Sequence, residues 1–145
     1  SAINAGNFSD ADLNLLTPLS EQIVWLKLGR TKITDAGMQD ISKLKKLSRI
    51  HIEHTAISDK GLKLLSGLPY LEYINLIGTK VTDEGLRDIA PMKSLRSIYV
   101  WKTATSDSGI VNLKKSNPAL TIVAGPDSTV LSRFKRKPDS TAAIM

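Results

Sequence analysis

The chain has 145 residues, no cysteine and a formal net charge of +6 at pH 7. That length suits one domain around one core, and the missing thiols exclude disulfides, thiolate metal sites and Cys-x-x-Cys-His haem attachment within these residues. No apolar run approaches the ~20 residues of a membrane helix, and the mild, scattered basicity lacks the dense cluster expected of a nucleic-acid binder.

Residues 1–8 read as a polar linker without signal-peptide character, as if cut from something longer. Ser9-Asp10-Ala11-Asp12 is then a helix-start signal, with a capping side chain and acids in the first turn. Leu13, Leu16 and Leu19 follow at spacing three, with Pro18 marking the last turn. Residues 9–22 thus form a helical half-repeat with no strand before it, the pattern of an end cap.

From Ile23 one unit recurs every 24 residues, with copies starting at 23, 47, 71 and 95. Such a period identifies a stack of supersecondary units, each contacting its neighbours. Four columns carry it: Thr31, Thr55, Thr79 and Thr103; Ile33, Ile57, Val81 and Thr105; Asp35, Asp59, Asp83 and Asp107; Gly37, Gly61, Gly85 and Gly109. Each copy opens with alternating residues, the period of a short strand. Leu26 and Leu28, Ile50 and Ile52, Ile74 and Leu76, and Ile98 and Val100 point inward. The column threonine turns inward as well, where its hydroxyl can satisfy a backbone group in the bend. Thr34, Ser58, Thr82 and Ser106 are the expected N-caps, each followed by an aspartate favoured at the positive end of a helix. The glycine two places later belongs where a Cβ would strike the adjacent coil. The helices then bury Leu62, Leu65 and Leu68, or Leu86, Ile89 and Met92, against Lys60, Lys63, Arg87, Asp88 and Lys93 on a solvated face.

The fourth copy is worn. Thr105 stands for an aliphatic, Ser116 for the third inward leucine, and Asn117-Pro118 ends the helix. A last strand falls near 119–124, in one of two registers: Ile122 matches Ile98 at 24 residues, whereas Leu120 matches Leu95 at 25. From 126 to 145 periodicity is gone. This stretch, with Arg133, Lys135, Arg136 and Lys137, reads as a flexible basic tail, or as a tether for an acidic surface.

The pattern Leu-x-x-[Leu/Ile]-x-[Leu/Ile/Val]-x-x-Thr-x-[Ile/Val]-[Thr/Ser]-Asp-x-Gly-[Leu/Met] resembles the leucine-rich repeat, in the short bacterial variety close to the GALA and cysteine-containing types. The likeness covers residues 9–125. It implies an α/β fold: a right-handed solenoid with a short parallel sheet on the concave face and helices on the convex face. More narrowly, residues 18–28 and 98–103 resemble the repeat segments of bacterial cytochrome-c-like envelope proteins. That would put the chain on the periplasmic side of a cell envelope, as part of a larger protein, although no haem motif is present.

Leucine-rich repeats bind and seldom catalyse, so the resemblance implies a non-enzymatic interaction module. Its candidate surface is the outward row on the strands: Trp25, Lys27, Arg49, His51, Glu53, Tyr73, Asn75, Tyr99 and Trp101. Four of the seven aromatic residues fall there, and aromatic residues beside arginine are the usual composition of binding hot spots. The partner would be a protein or peptide, or a neighbouring domain of the same polypeptide. A glycan stacking on Trp25, Tyr73, Tyr99 and Trp101 is the alternative, and a purely structural spacer a further one. His51-Ile52-Glu53-His54 puts two potential ligands on one side of a strand, too few for a zinc site, which takes three or four. No metal or other cofactor is expected. The chain carries no Gly-x-Ser-x-Gly elbow, GxGxxG turn or Walker loop either.

Overall fold

A computed structural model describes residues 8–125. The linker at 1–7 and the basic tail at 126–145 lie outside the described residues. Phe8, assigned to the linker from sequence, belongs to the body: it packs against the core and its carbonyl accepts from Lys32 N at 2.7 Å.

The half-repeat is a 3₁₀ helix, Asp10–Leu19, opened by Ser9 N donating to the Asp12 carboxylate at 2.9 Å. Leu13 and Leu16 are buried, but Leu19 is 43% exposed. The expectation of a third inward leucine fails at the last residue of the helix, directly after Pro18, although the three-residue winding keeps Leu13 and Leu16 on one face. Five three-residue strands follow: β1 (Trp25–Lys27), β2 (Arg49–His51), β3 (Tyr73–Asn75), β4 (Ser97–Tyr99) and β5 (Thr121–Val123). They make one parallel sheet in chain order. Between them lie α1 (Met38–Ile41), entered through a 3₁₀ turn at Asp35–Gly37, then α2 (Asp59–Leu65), α3 (Asp83–Ile89) and α4 (Asp107–Ser116). This is an α/β solenoid of leucine-rich-repeat type.

The strand register is the repeat period itself. Leu26 pairs with Ile50, Ile50 with Ile74, Ile74 with Ile98 and Ile98 with Ile122. Those five and the row Leu28, Ile52, Leu76 and Val100 are fully buried, facing the helix rows across a dry strip. Each column threonine closes its bend, with Oγ1 donating to the carbonyl three residues back: Thr31 to Leu28 at 2.6 Å, Thr55 to Ile52 at 2.7 Å, Thr79 to Leu76 at 2.7 Å and Thr103 to Val100 at 2.6 Å. A buried carbonyl is thereby satisfied without a strand partner.

The aspartates have a larger role than the helix dipole. The carboxylates of Asp10, Asp35, Asp59 and Asp83 each reach sideways into the next repeat. Asp10 accepts from Thr34 N at 2.8 Å and Thr34 Oγ1 at 2.5 Å, and Asp59 accepts from Thr82 N at 2.8 Å and Thr82 Oγ1 at 2.5 Å. Asp35 takes the N–H and hydroxyl of Ser58, and Asp83 those of Ser106. The cap residues therefore work in two directions. Thr34, Thr82 and Ser106 accept from their own helix while donating to the preceding aspartate. Ser58 departs from the expected pattern, since its hydroxyl makes no cap to its own helix.

The glycine column follows from the same contact. A Cβ on Gly37, Gly61, Gly85 or Gly109 would come within 3.0 Å of Oδ1 of Asp10, Asp35, Asp59 or Asp83, respectively. Only glycine leaves room for the bridging carboxylate.

At the worn end both registers hold, over different stretches. Ser116 is exposed, and Asn117 occupies the third inward position instead, 5% exposed. Its Nδ2 donates to Met92 O at 3.0 Å, so the expected substitution moves one residue along. Leu120 is buried as Leu95 is, at 25 residues, while Ile122 pairs with Ile98 at 24. One residue gained at the end of α4 is lost again before β5.

Candidate partner-binding face

The outward side of the sheet carries two rows set by the register. One is Trp25, Arg49, Tyr73, Ser97 and Thr121, and the other Lys27, His51, Asn75, Tyr99 and Val123. Gly29, Glu53, Ile77 and Trp101, one step past the strands, continue the face. The structure thus brings all nine sequence-derived residues to one side of the sheet.

Within that face the side chains are interlocked. The Arg49 guanidinium lies 4.9 Å from the Trp25 ring and 5.3 Å from the Tyr73 ring, between the two. Tyr73 meets His51 at 4.9 Å and Tyr99 at 5.3 Å between centroids, both tilted, within the range where aromatic pairs attract. Trp101 stands at the rim, 37% exposed, with Lys102 Nζ 5.0 Å from its ring centroid. Trp25 is 48% exposed at the outer edge of β1. Asn75 is partly occupied at home, because its Oδ1 accepts from Ile77 N at 3.1 Å.

Burial sets the electrostatics at the centre of the face. Desolvation holds the His51 imidazole below its ordinary value; Glu53 opposes this, and Lys27 and Arg49 add to it. His51 is therefore neutral at pH 7. Its Nδ1 stands 4.0 Å from Glu53 Oε1, beyond hydrogen-bond range. Burial raises the Tyr73 phenol, and Tyr99 adds to that. His54 turns away, its ring lying over Gly78, where a Cβ would strike it. Among the described residues no three histidine, aspartate or glutamate side chains converge on a metal position, and no helix is long and apolar enough to cross a membrane.

Sequence reasoning missed the residues at the strand exits. Arg30, His54, Gly78 and Lys102 recur at 24 and all have positive φ, at 60°, 55°, 74° and 61°. The left-handed residue turns each strand off the sheet, and at two of these exits it sets a basic side chain beside the face, Arg30 near Lys27 and His51 and Lys102 near Trp101. Gly78 alone carried the signal, since glycine is the residue that adopts this conformation freely.

A family model described as a Leucine Rich repeat matches residues 67–90, the length of one unit of the stack. The match supports the leucine-rich-repeat family, and with it the expectation of an interaction module in a family that is generally non-enzymatic. No curated protein matches the chain.

Proposed function

We propose that the chain is a non-enzymatic protein-interaction module whose concave sheet face, from Trp25 across Arg49 and Tyr73 to Tyr99 and Trp101, receives a protein segment. The carrying observation is the continuous ladder of rings and guanidinium on that face. These side chains are held by one another, so little rotamer freedom is left to lose on binding. Five strands at ~4.8 Å spacing make a face ~19 Å across. That width suits an extended peptide or one edge of a domain, below the ~800 Å² per partner of a standard interface.

The ladder favours peptide over sugar. Tyr73 is hemmed by Arg49, His51 and Tyr99, and Trp25 by Arg49, which leaves few open ring faces for stacking. In our reading the module is of the short bacterial type and serves a larger envelope protein on its periplasmic side, a placement that follows from the likeness of residues 18–28 and 98–103.

The test is affinity capture from a bacterial envelope fraction with the intact chain and with Tyr99→Ala/Trp101→Ala. A partner retained by the first and lost by the second, with both folded by circular dichroism, is the expected result. Equal retention by both removes the concave face from the proposal.

A further inference from the structure

A notch of about 260 Å³ opens at the β1–β2 end of the sheet face, lined by Lys27, Gly29, Arg30, His51 and Glu53. It is smaller than a drug-sized pocket and fits one terminal group rather than a whole ligand. Its floor is made by an absent side chain: the Glu53 carboxylate lies over Gly29, where any Cβ would collide with it. The carboxylate is left incomplete, because Glu53 Oε1 is shielded from solvent and has no hydrogen-bond partner. Buried acceptors rarely stay unpaired, and rotation of the carboxylate about its terminal torsion is soft enough to bring this oxygen to an incoming donor. The walls are cationic. Lys27 stands on β1, and the left-handed Arg30 leaves the strand just beyond it. Two cations and one carboxylate leave a single positive charge unmatched, since the imidazole is neutral.

The missing complement is one anionic group with an N–H donor close beside it. We propose that this notch takes the C-terminal residue of a peptide, its α-carboxylate between Lys27 and Arg30 and its backbone N–H donated to Glu53. Capture of a chain terminus is an established mode of peptide recognition. Beyond the notch the same row continues through Ile77 to Trp101, each ~4.8 Å further on. An extended peptide rising ~3.3 Å per residue would bring an apolar side chain to Trp101 about three places before its end. The assignment rests on the reading of the concave face as a peptide surface and specifies which end of the peptide lies where.

The probe is a fluorescein-labelled pool of random heptapeptides with leucine fixed three places before the end, made as free acids and as carboxamides. Binding to the intact chain is read by anisotropy. The acid pool should bind at least tenfold more tightly than the amide pool. Lys27→Gln and Arg30→Gln should each weaken the acid pool more than the amide pool, bringing the acid preference toward one. Gly29→Ala alters no charge but displaces the Glu53 carboxylate, so it should also lower the acid preference, which a simple cationic patch would not do. Equal binding of acids and amides overturns the terminus assignment and leaves the concave-face reading standing. Binding by neither pool overturns the terminus assignment, and the capture experiment with Tyr99→Ala/Trp101→Ala then decides the concave-face reading by itself. A free amino acid binding as tightly as the acid pool overturns the peptide as occupant.

Discussion

Gly85→Ala tests the lateral bridge between repeats, because its effect should depend on a side chain 26 positions earlier. The backbone at Gly85 is helical, so alanine itself brings no strain, and on helix propensity alone it should stabilise by up to ~1 kcal/mol. The new Cβ, however, would come within 3.0 Å of Asp59 Oδ1. To relieve that contact the carboxylate must leave its bonds from Thr82 N and Thr82 Oγ1. Hydrogen bonds to a charged group contribute roughly 1.5–3 kcal/mol each, and partial solvation of this site lowers the sum. We therefore expect Asp59→Ala to cost about 2–4 kcal/mol and Gly85→Ala about 2 kcal/mol. Once Asp59 is removed the remaining close neighbour is the flexible end of Leu62, at 3.1 Å. In that background Gly85→Ala should be neutral or stabilising. Urea denaturation of the four proteins of the cycle yields the coupling energy, expected at about 2 kcal/mol. Equal destabilisation by Gly85→Ala in both backgrounds would refute the account of the glycine column.

Leu76→Ala, at the fully buried centre of the stack, should cost ~2–5 kcal/mol, and far-ultraviolet and tryptophan signals should still fall together, as in a cooperative unit. Asn117→Ala removes the donor to Met92 O and should cost about 1–3 kcal/mol; a thermal midpoint unchanged within 2 °C would exclude this role. Because the folded His51 titrates below its ordinary value near 6.5, the unfolded chain binds the proton first. The contribution of His51 to stability is present above pH 6.5 and lost as pH falls through the lower folded value. His51→Asn should flatten that part of the stability–pH curve, and the histidine ring resonances should show the lowered midpoint directly.

How much was legible depended on which physical rule set each residue. The period of 24 and the alternation around Leu26, Ile50, Ile74 and Ile98 are single-residue consequences of packing an apolar strip, so inward and outward could be read directly. The glycine column could be placed from sequence as a packing glycine. Its obstacle could not be named, because Asp59 meets Gly85 only when adjacent coils are superposed. Leu19 and Ser116 were misplaced at the two ends of the stack: Leu19 closes a 3₁₀ helix and stays exposed, whereas at the other end the inward position falls one residue later, on Asn117. Among the nine face residues, the strand period supplied the side of the sheet but not the lateral contacts. Arg49 between Trp25 and Tyr73, or Glu53 over Gly29, depends on which rotamers neighbouring strands permit.

The two sides of the solenoid are under different constraints, and this is what makes the sheet side the place to look for function. At the strand exits and helix starts, Asp, Gly and the Thr or Ser caps lock each coil to the next through bonds that tolerate no change of size. The positions facing outward from the sheet carry no such bond between repeats. Lys27, His51, Asn75, Tyr99 and Val123 share one row and one register, yet they are five different residue types within a single chain. A row that backbone pairing already holds in place leaves its side chains free to differ, and here they differ in a graded way, from cationic at β1 to aromatic at β4. A peptide lying over this row would meet Lys27 at β1 and Tyr99 at β4, while the neighbouring row sets Trp25 and Arg49 beside the cationic end.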